Sequence, residues 1–261
     1  MTFSAAREGT HGASLRDWPP ISAVLVVVPA HDEVERIGRC VRSVRQSAEA
    51  LLSPSSDVTL HRVRQVEVVV VLDRCTDGTA AGVADPSVHL VDLDAGCVGA
   101  ARGAGILRGM AVSAASDPRS VLVVNTDADC IVPRDWLMDL VSLAAGHDVV
   151  LGEVHPDPSE MSPISLDAWW RRHPRGRGSL HGANLAVRLD AYLSVGGFAA
   201  VSEQEDVLLV RALRAAGARV VGGTRVMTSG RRDGRVPEGF AGYLRALDDE
   251  LALQGEIRAQ A

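Results

Sequence analysis

The chain alternates short aliphatic runs with longer stretches in which apolar residues recur every three or four positions. Val24-Leu25-Val26-Val27-Val28 is unbroken and closed by Pro29. A run of that kind, without polar alternation, predicts a strand covered on both faces, as in a parallel sheet. Across Glu33 to Leu52, Ile37, Val41 and Val44 fall at helical spacing, and Ser53-Pro54-Ser55-Ser56-Asp57 predicts the loop that ends that helix. The unit then recurs. Val66–Leu72 predicts a second buried strand, and Asp77-Gly78-Thr79 leads into a short helix. Val88–Leu93 predicts a third strand, and an Ala-rich helix follows over Val98–Ala115. Ser120–Asn125 predicts a fourth strand, after which Pro133-Arg134-Asp135-Trp136 opens another helix with proline early in its first turn. Strands alternating with helices predict an α/β fold with a mostly parallel central sheet and right-handed crossovers.

After a strand over Val149–Val154 the rhythm changes. Residues 155–180 are rich in Pro, Arg, Gly and Ser and predict a long loop, of the size that is functional or unstructured in a compact domain. Regular structure resumes over Gly182–Val187, with a helix over Glu203–Ala216 and a strand over Arg219–Val226. The tail from Pro237 to Ala261 predicts an amphipathic helix with Phe240, Leu244, Leu247 and Leu251 on one face. The expected organisation is a leader over residues 1–20, one domain over 21–236, and a helix over 237–261. That last helix packs on the domain or at an oligomer interface, so a homodimer stays open.

Composition narrows the class. A chain of 261 residues can bury a large core without disulfides or structural metals. Its four cysteines are scattered, with no C-x-x-C pair, which argues against a zinc module and a disulfide framework and suits a reducing compartment. A formal charge of −6 argues against a general nucleic-acid binder. Every basic side chain apart from histidine is arginine, so chemistry that needs lysine is excluded. No apolar run approaches the ~20 residues of a transmembrane segment, and the N-terminus lacks the apolar stretch of a secretory signal. The expectation is a cytoplasmic protein, with peripheral attachment to a membrane left open.

Candidate chemistry follows from asking what each strand emits, because ligands of open parallel sheets bind beyond the carboxyl ends of the strands. The first strand leads into Pro29-Ala30-His31-Asp32-Glu33, the second into Asp73-Arg74-Cys75-Thr76-Asp77, and the fourth into Thr126-Asp127-Ala128-Asp129. Three acidic strand ends at one edge form a series. Asp127 and Asp129 can face a common cation, and Mg2+ and Mn2+ prefer such oxygen ligands; a solvated turn with Asp129 capping the next helix is the other reading. Asp73 sits where a nucleobase or ribose could be held, or else starts a turn that Asp77-Gly78 completes. Trp169 to Arg177 carries four arginines and two indoles. Through Trp170 and Arg172 it could stack on a sugar or close over phosphates, or it could be a solvated loop with its indoles packed below. His181 could contact a metal or an acceptor, or serve structure alone.

The ordered blocks resemble a known family. VVVPAHDEVERIGRCVRSV, VVVVLDRCTDGT, GAARGAGI, NTDADCIVPRDWL, HGANLAVRLDAYLSVGGF and SEQEDVLLVRALRAAG are similar, in that order, to the segments of inverting family 2 glycosyltransferases. The resemblance runs from about Val24 to Val226. It implies a GT-A fold with a Rossmann-like central sheet flanked by helices, a nucleotide-diphosphate sugar donor (UDP-sugar first), and a divalent Mg2+ or Mn2+ ion. The acceptor would be a hydroxyl of a small metabolite, a lipid or a glycan. By the same resemblance Pro29, His31 and Glu33 fall at the nucleotide lip, and Asp73 at the uracil or ribose contact. Arg102 falls near the nucleotide, Asp127 and Asp129 at the metal and diphosphate, and Asp206 at the catalytic base. Glu205, beside that base, is assigned to the acceptor or phosphate side. On local sequence alone Glu203, Glu205 and Asp206 equally suit an acidic first helical turn.

Departures from the pattern are specific. Leu72-Asp73 stands where many relatives have two acidic residues, and Gly103 replaces the asparagine that follows the arginine. Where some relatives carry a metal-binding histidine, this chain has Thr228-Ser229-Gly230-Arg231-Arg232. Arg231, Arg232 and Arg235 are offered there to a diphosphate or to a basic turn. Two alternatives compete. A nucleotidyltransferase would carry a Gly-rich first loop with Lys or Arg, where this chain has Asp32 and Glu33. A catalytically inactive nucleotide-sugar binding protein would keep Asp73 and Asp127 but lose Asp129 or Asp206, and both are present.

Overall fold

The computed structural model describes residues 18–53, 62–174, 180–234 and 239–260. The predicted leader up to residue 17, residues 54–57 of the predicted first loop, residues 175–177 of the Arg-rich stretch, Arg235 and Pro237 lie outside them. β1 (Ala23–Ala30) is central. It hydrogen-bonds in parallel to β2 (Gln65–Asp73) on one side and to β4 (Val121–Asn125) on the other, and β3 (His89–Leu93) extends the sheet beyond β2. Past β4 come β6 (Leu185–Arg188), β5 (Val149–Pro156) and β7 (Val220–Thr228), giving the order β3-β2-β1-β4-β6-β5-β7. Only β6 is reversed, antiparallel to both β4 and β5. The start of β6 therefore lies at the same edge as the ends of the other strands. That edge carries the site.

The aliphatic runs form strands because both faces of this sheet are covered, and successive side chains feed opposite cores. Val24, Val26 and Val28 join Val68, Val70, Leu122 and Val124 beneath α1 (Ile37–Leu52) and α4 (Trp136–Ala144). Leu25 and Val27 join Val123, Leu185 and Val187 on the other face. That face is covered by α3 (Val98–Val112), α6 (Leu189–Ser194) and α7 (Glu205–Ala215), which contribute Ile106, Leu189, Leu209 and Leu213. One short helix, α2 (Thr79–Gly82), follows β2. The architecture expected from the sequence, a mostly parallel sheet flanked by helices, is the one observed.

Two local expectations change. The first helix starts at Ile37 rather than Glu33; residues 33–36 form a turn closed by the Arg36 N–H on the Glu33 carbonyl at 2.9 Å, and the Glu33 N–H donates to Thr79 Oγ1 at 2.7 Å. The expected loop over 155–180 contains a helix, α5 (Pro163–Arg172), with Pro163 at its first position and the Ser162 side chain capping the Ser165 N–H at 3.1 Å. Trp169 is buried on this helix against Leu244 and Leu247 of the C-terminal helix, Phe240–Gln260. Burial of each such side chain stabilises by roughly 1.5–3 kcal/mol. The partner face lies some seventy positions further along the chain, so local composition could not reveal it. Phe240 and Leu251 pack on the same cluster, which accounts for the predicted apolar face of the tail.

Helix α3 approaches β1 and β2 closely at Gly105. A Cβ there would collide with Val27 Cγ1 and lie 3.0 Å from Val71 Cγ2. At Gly103, two positions earlier and on the opposite side of the helix, a Cβ would meet nothing within 4 Å. In urea denaturation Gly105→Val is expected to lose about 2–3 kcal/mol through overpacking, whereas Gly103→Ala is expected to gain about 0.5–1 kcal/mol from helix propensity. Equal midpoints for the two variants would contradict this packing of α3.

Candidate functional site

The loop after β1 is tied to the loop after β2. Asp32, with φ 48°, accepts through Oδ1 from the backbone N–H of Thr76 at 2.7 Å and of Asp77 at 3.2 Å. His31 Nδ1 donates to the Asp73 carbonyl at 2.7 Å, so the predicted lip residue His31 and the predicted uracil or ribose contact Asp73 are adjacent. Pro29 lies within β1, paired with Val71. The Asp73 carboxylate accepts from the backbone N–H groups of Ala95, Gly96 and Cys97 at 2.8–2.9 Å. Burial pushes this carboxyl up, but the three N–H donors outweigh it and hold it below the usual value. Asp73 thus shapes the turn between β3 and α3, a role that sequence reasoning did not foresee.

Beside this lip, charged residues from distant segments converge. Arg102 of α3 is 2% exposed and reaches Asp127 Oδ1 through Nη2 at 2.7 Å and Glu205 Oε1 through Nε at 3.0 Å. Phe198 lies 5.9 Å from its guanidinium carbon. Gly182 permits the arrangement, since a Cβ there would lie 2.6 Å from Arg102 Nη2. The Gly182 N–H donates to Asp206 Oδ2 at 2.6 Å, and the Val207 N–H donates to Asp206 Oδ1 at 2.7 Å. His181 precedes that glycine; burial pushes its imidazole below the usual range, against the opposing pull of Asp206 and Asp127. The reversed β6 brings His181 and Gly182 here.

The second carboxylate of the pair is differently placed. Asp129 accepts from Thr228 Oγ1 at 3.1 Å, and its Oδ2 lies 3.1 Å from Arg231 Nη2. Arg231 in turn grips Glu33 through Nη1 at 2.9 Å and Nη2 at 2.7 Å. Burial, then the neighbouring charge of Asp127, pushes the Asp129 carboxyl up to about 6, with Arg231 opposing. Sequence reasoning offered Arg231 to a diphosphate or to a basic turn; its guanidinium lies among the carboxylates. Thr228, which ends β7 and opens the segment where some relatives carry a metal-binding histidine, thus holds Asp129, a role not assigned to it from sequence.

The structure therefore brings Glu33, Arg102, Asp127, Asp129, His181, Glu205 and Asp206 together, with His31 and Asp73 at the adjoining lip. Trp170 and Arg172 stand apart. They belong to the helix Pro163–Arg172, where the Trp170 ring lies 5.7 Å from His155 and Arg172 pairs with Glu250 of the C-terminal helix at 2.6 Å. Among the described residues no three His, Cys, Asp or Glu side chains form a cation cage. The donor chemistry still fits a hard divalent ion that keeps water or phosphate in its shell. Asp127 and Asp129 offer carboxylate oxygens, Asp127 is 40% exposed with only Oδ1 engaged by protein among the described residues, and Glu33, Glu205 and Asp206 leave the cluster richer in carboxylates than in guanidiniums.

A family model described as glycosyl transferase family 2 matches residues 25–186. No curated protein matches the chain. Among solved structures, S. aureus TarS 1-349 in complex with UDP-GlcNAc is 16% identical, with 84% of this chain and 62% of that chain covered and a TM-score of 0.57. The longer S. aureus TarS has the same identity and a TM-score of 0.56, with 80% of this chain and 37% of that chain covered. The chain thus spans about three fifths of the TarS 1-349 fragment. Glucosyl-3-phosphoglycerate synthase from Mycobacterium tuberculosis in complex with Mg2+ and UDP is 18% identical, with coverage of 87% and 78% and a TM-score of 0.51. At these identities the likeness is one of fold.

The raised Asp129 carboxyl has a consequence for stability. The folded chain holds this proton more tightly than the unfolded one, where the value is 3.8, so the contribution is present at low pH and is lost as pH rises through about 6. In thermal melts of metal-free protein at about pH 4.5 and about pH 7, the gap between wild type and Asp129→Asn should move in the variant's favour at the higher pH. A gap moving in the wild type's favour would show that Asp129 is not held in this way.

Proposed function

The chain belongs to glycosyl transferase family 2, and from that membership we propose that it moves a sugar from a nucleotide-diphosphate donor to an acceptor hydroxyl with inversion. The observation that carries this reading is the meeting of Asp127 and Asp129 with Arg102 and the Glu205-Asp206 pair, from separate segments, at the carboxyl edge of the sheet. A UDP-sugar is the proposed donor. TarS 1-349 in complex with UDP-GlcNAc and the mycobacterial synthase in complex with Mn2+, UDP-glucose and phosphoglyceric acid share the fold and support that choice. The acceptor is a hydroxyl of a small metabolite, a lipid or a glycan. No helix among the described residues is long and apolar enough to cross a membrane.

In the proposed mechanism Asp127 and Asp129 hold a divalent Mg2+ or Mn2+ ion, which when bound neutralises charge growing on the leaving diphosphate. Arg102 holds Asp127 through one oxygen only, which leaves the other for that ion. His31 and the turn shaped by Asp73 form the lip for the nucleoside. Asp206 takes the acceptor's proton on the face of the sugar opposite the leaving group. Its carboxylate is aimed by the N–H groups of Gly182 and Val207. The buried Glu205 anchors the start of the same helix to Arg102, so base and acid pair are set against one another through a single guanidinium.

Hydrolysis of UDP-glucose in the presence of Mn2+ reads this chemistry without a known acceptor. Asp206→Asn is expected to lower turnover by about 10²–10⁴, the usual contribution of a general base, and to leave the calorimetric affinity for UDP within about twofold. Unchanged turnover would remove Asp206 from the role of base. No turnover in either protein, with UDP still bound, would favour a nucleotide-sugar binding protein.

A further inference from the structure

Each carboxylate of the acidic pair is held by a guanidinium that also holds a buried glutamate. Asp127 is joined to Glu205 through Arg102, and Asp129 to Glu33 through Arg231. The two arginines differ in how firmly they are fixed. Arg102 projects from the second turn of α3, its side chain 3% exposed with the Phe198 ring beside it. Arg231 lies on the segment after β7, with its side chain 23% exposed. Its hold on Glu33 is two-pronged, at 2.9 and 2.7 Å, while its hold on Asp129 is one contact at 3.1 Å. Releasing Asp129 would break only that weaker contact. Arg231 would stay tethered to Glu33, which is 4% exposed and fixed by its own backbone bond to Thr79.

We propose that Arg231 is a resident counter-cation of the acidic pair, competing with the divalent ion for Asp129. The inference rests on the metal-dependent reading above. Three carboxylates crowded without a cation would repel one another strongly in a partly buried site. The guanidinium relieves that repulsion in the metal-free protein, and a divalent ion relieves it when bound. One Asp129 oxygen cannot serve both partners at full strength, because two cations at one oxygen repel each other. Metal alone therefore binds weakly, and it binds better when a diphosphate supplies further ligands and gives the displaced guanidinium a negative neighbour. Arg231 thereby couples occupancy by metal to occupancy by donor. Gly230 and Arg232 hold the segment in place on either side, through the Gly230 N–H to Glu160 at 2.6 Å and Arg232 Nε to Asp248 at 2.7 Å. The side chain of Arg231 can move without the segment moving.

The test is Mn2+ alone, titrated into nucleotide-free full-length protein, with unbound Mn2+ read by electron paramagnetic resonance. Arg231→Gln is expected to bind Mn2+ about fivefold more tightly than wild type, the scale of one partly exposed ion pair removed from competition. Arg39→Gln removes a charge from the wall of the crevice that Asp129 also lines, without touching Asp129, and is expected to stay within about twofold of wild type. Arg231→Lys keeps the charge but loses the fork on Glu33, and is expected to fall between wild type and Arg231→Gln. It decides the matter should the glutamine variant not fold. Affinities in both Arg231 variants no tighter than wild type would overturn the competition. Equal tightening in Arg39→Gln would overturn it too, by reducing the effect to general field strength. If no protein binds Mn2+ with or without UDP, the metal-dependent reading fails and this inference falls with it.

Discussion

The ion pairs of Arg102 are the constraint on which the rest of the site depends. A guanidinium taken out of water carries a desolvation cost of several kcal/mol, which only close and well-aligned anions can offset. Asp127 and Glu205 supply them at 2.7 and 3.0 Å, and burial then makes the arrangement specific. Removing Arg102 would strand the buried Glu205 carboxylate. The three residues come from a helix, a strand end and the first turn of another helix, so they fix those elements relative to one another. Gly105 allows α3 to lie against β1 and β2, and Gly182 leaves room for the guanidinium itself.

The same geometry explains why one edge of the sheet collects the charges. Parallel strands end together, and their loops are the places where acidic residues can gather without disturbing a core of valine and leucine. The one reversed strand, β6, then presents its beginning at that edge, carrying His181 and the Gly182 N–H that aims Asp206. Excess negative charge is the price of the collection. Part of it is met by Arg102 and Arg231; burial, and after it the charge of Asp127, raises the carboxyl of Asp129.

Much of this could be read from the chain alone, for physical reasons. Uninterrupted runs such as Val24–Val28 reported strands buried on both faces, because no half-exposed strand tolerates them. Asp73, Asp127 and Asp129 were marked by following such runs. What remained hidden depends on contacts distant in sequence. The helix Pro163–Arg172 needs a partner face near Leu244, and its two arginines and the prolines around it in sequence mask its own. The hydrogen bonds that bind the Asp73 carboxylate come from a loop more than twenty residues away. Arg231 looked like one member of a basic turn, and nothing in Thr228-Ser229-Gly230-Arg231-Arg232 says that Glu33 lies opposite.

The central claim is that Asp127, with Asp129, holds a divalent ion against the diphosphate of a nucleotide. Calorimetric titration of UDP with and without Mn2+, in wild type and in Asp127→Asn, tests it most directly. The account predicts that Mn2+ strengthens UDP binding to the wild type by about tenfold or more, the effect of one well-placed cation, and that the variant loses this gain. Binding of UDP that is indifferent to Mn2+ in the wild type and unchanged in Asp127→Asn would contradict it.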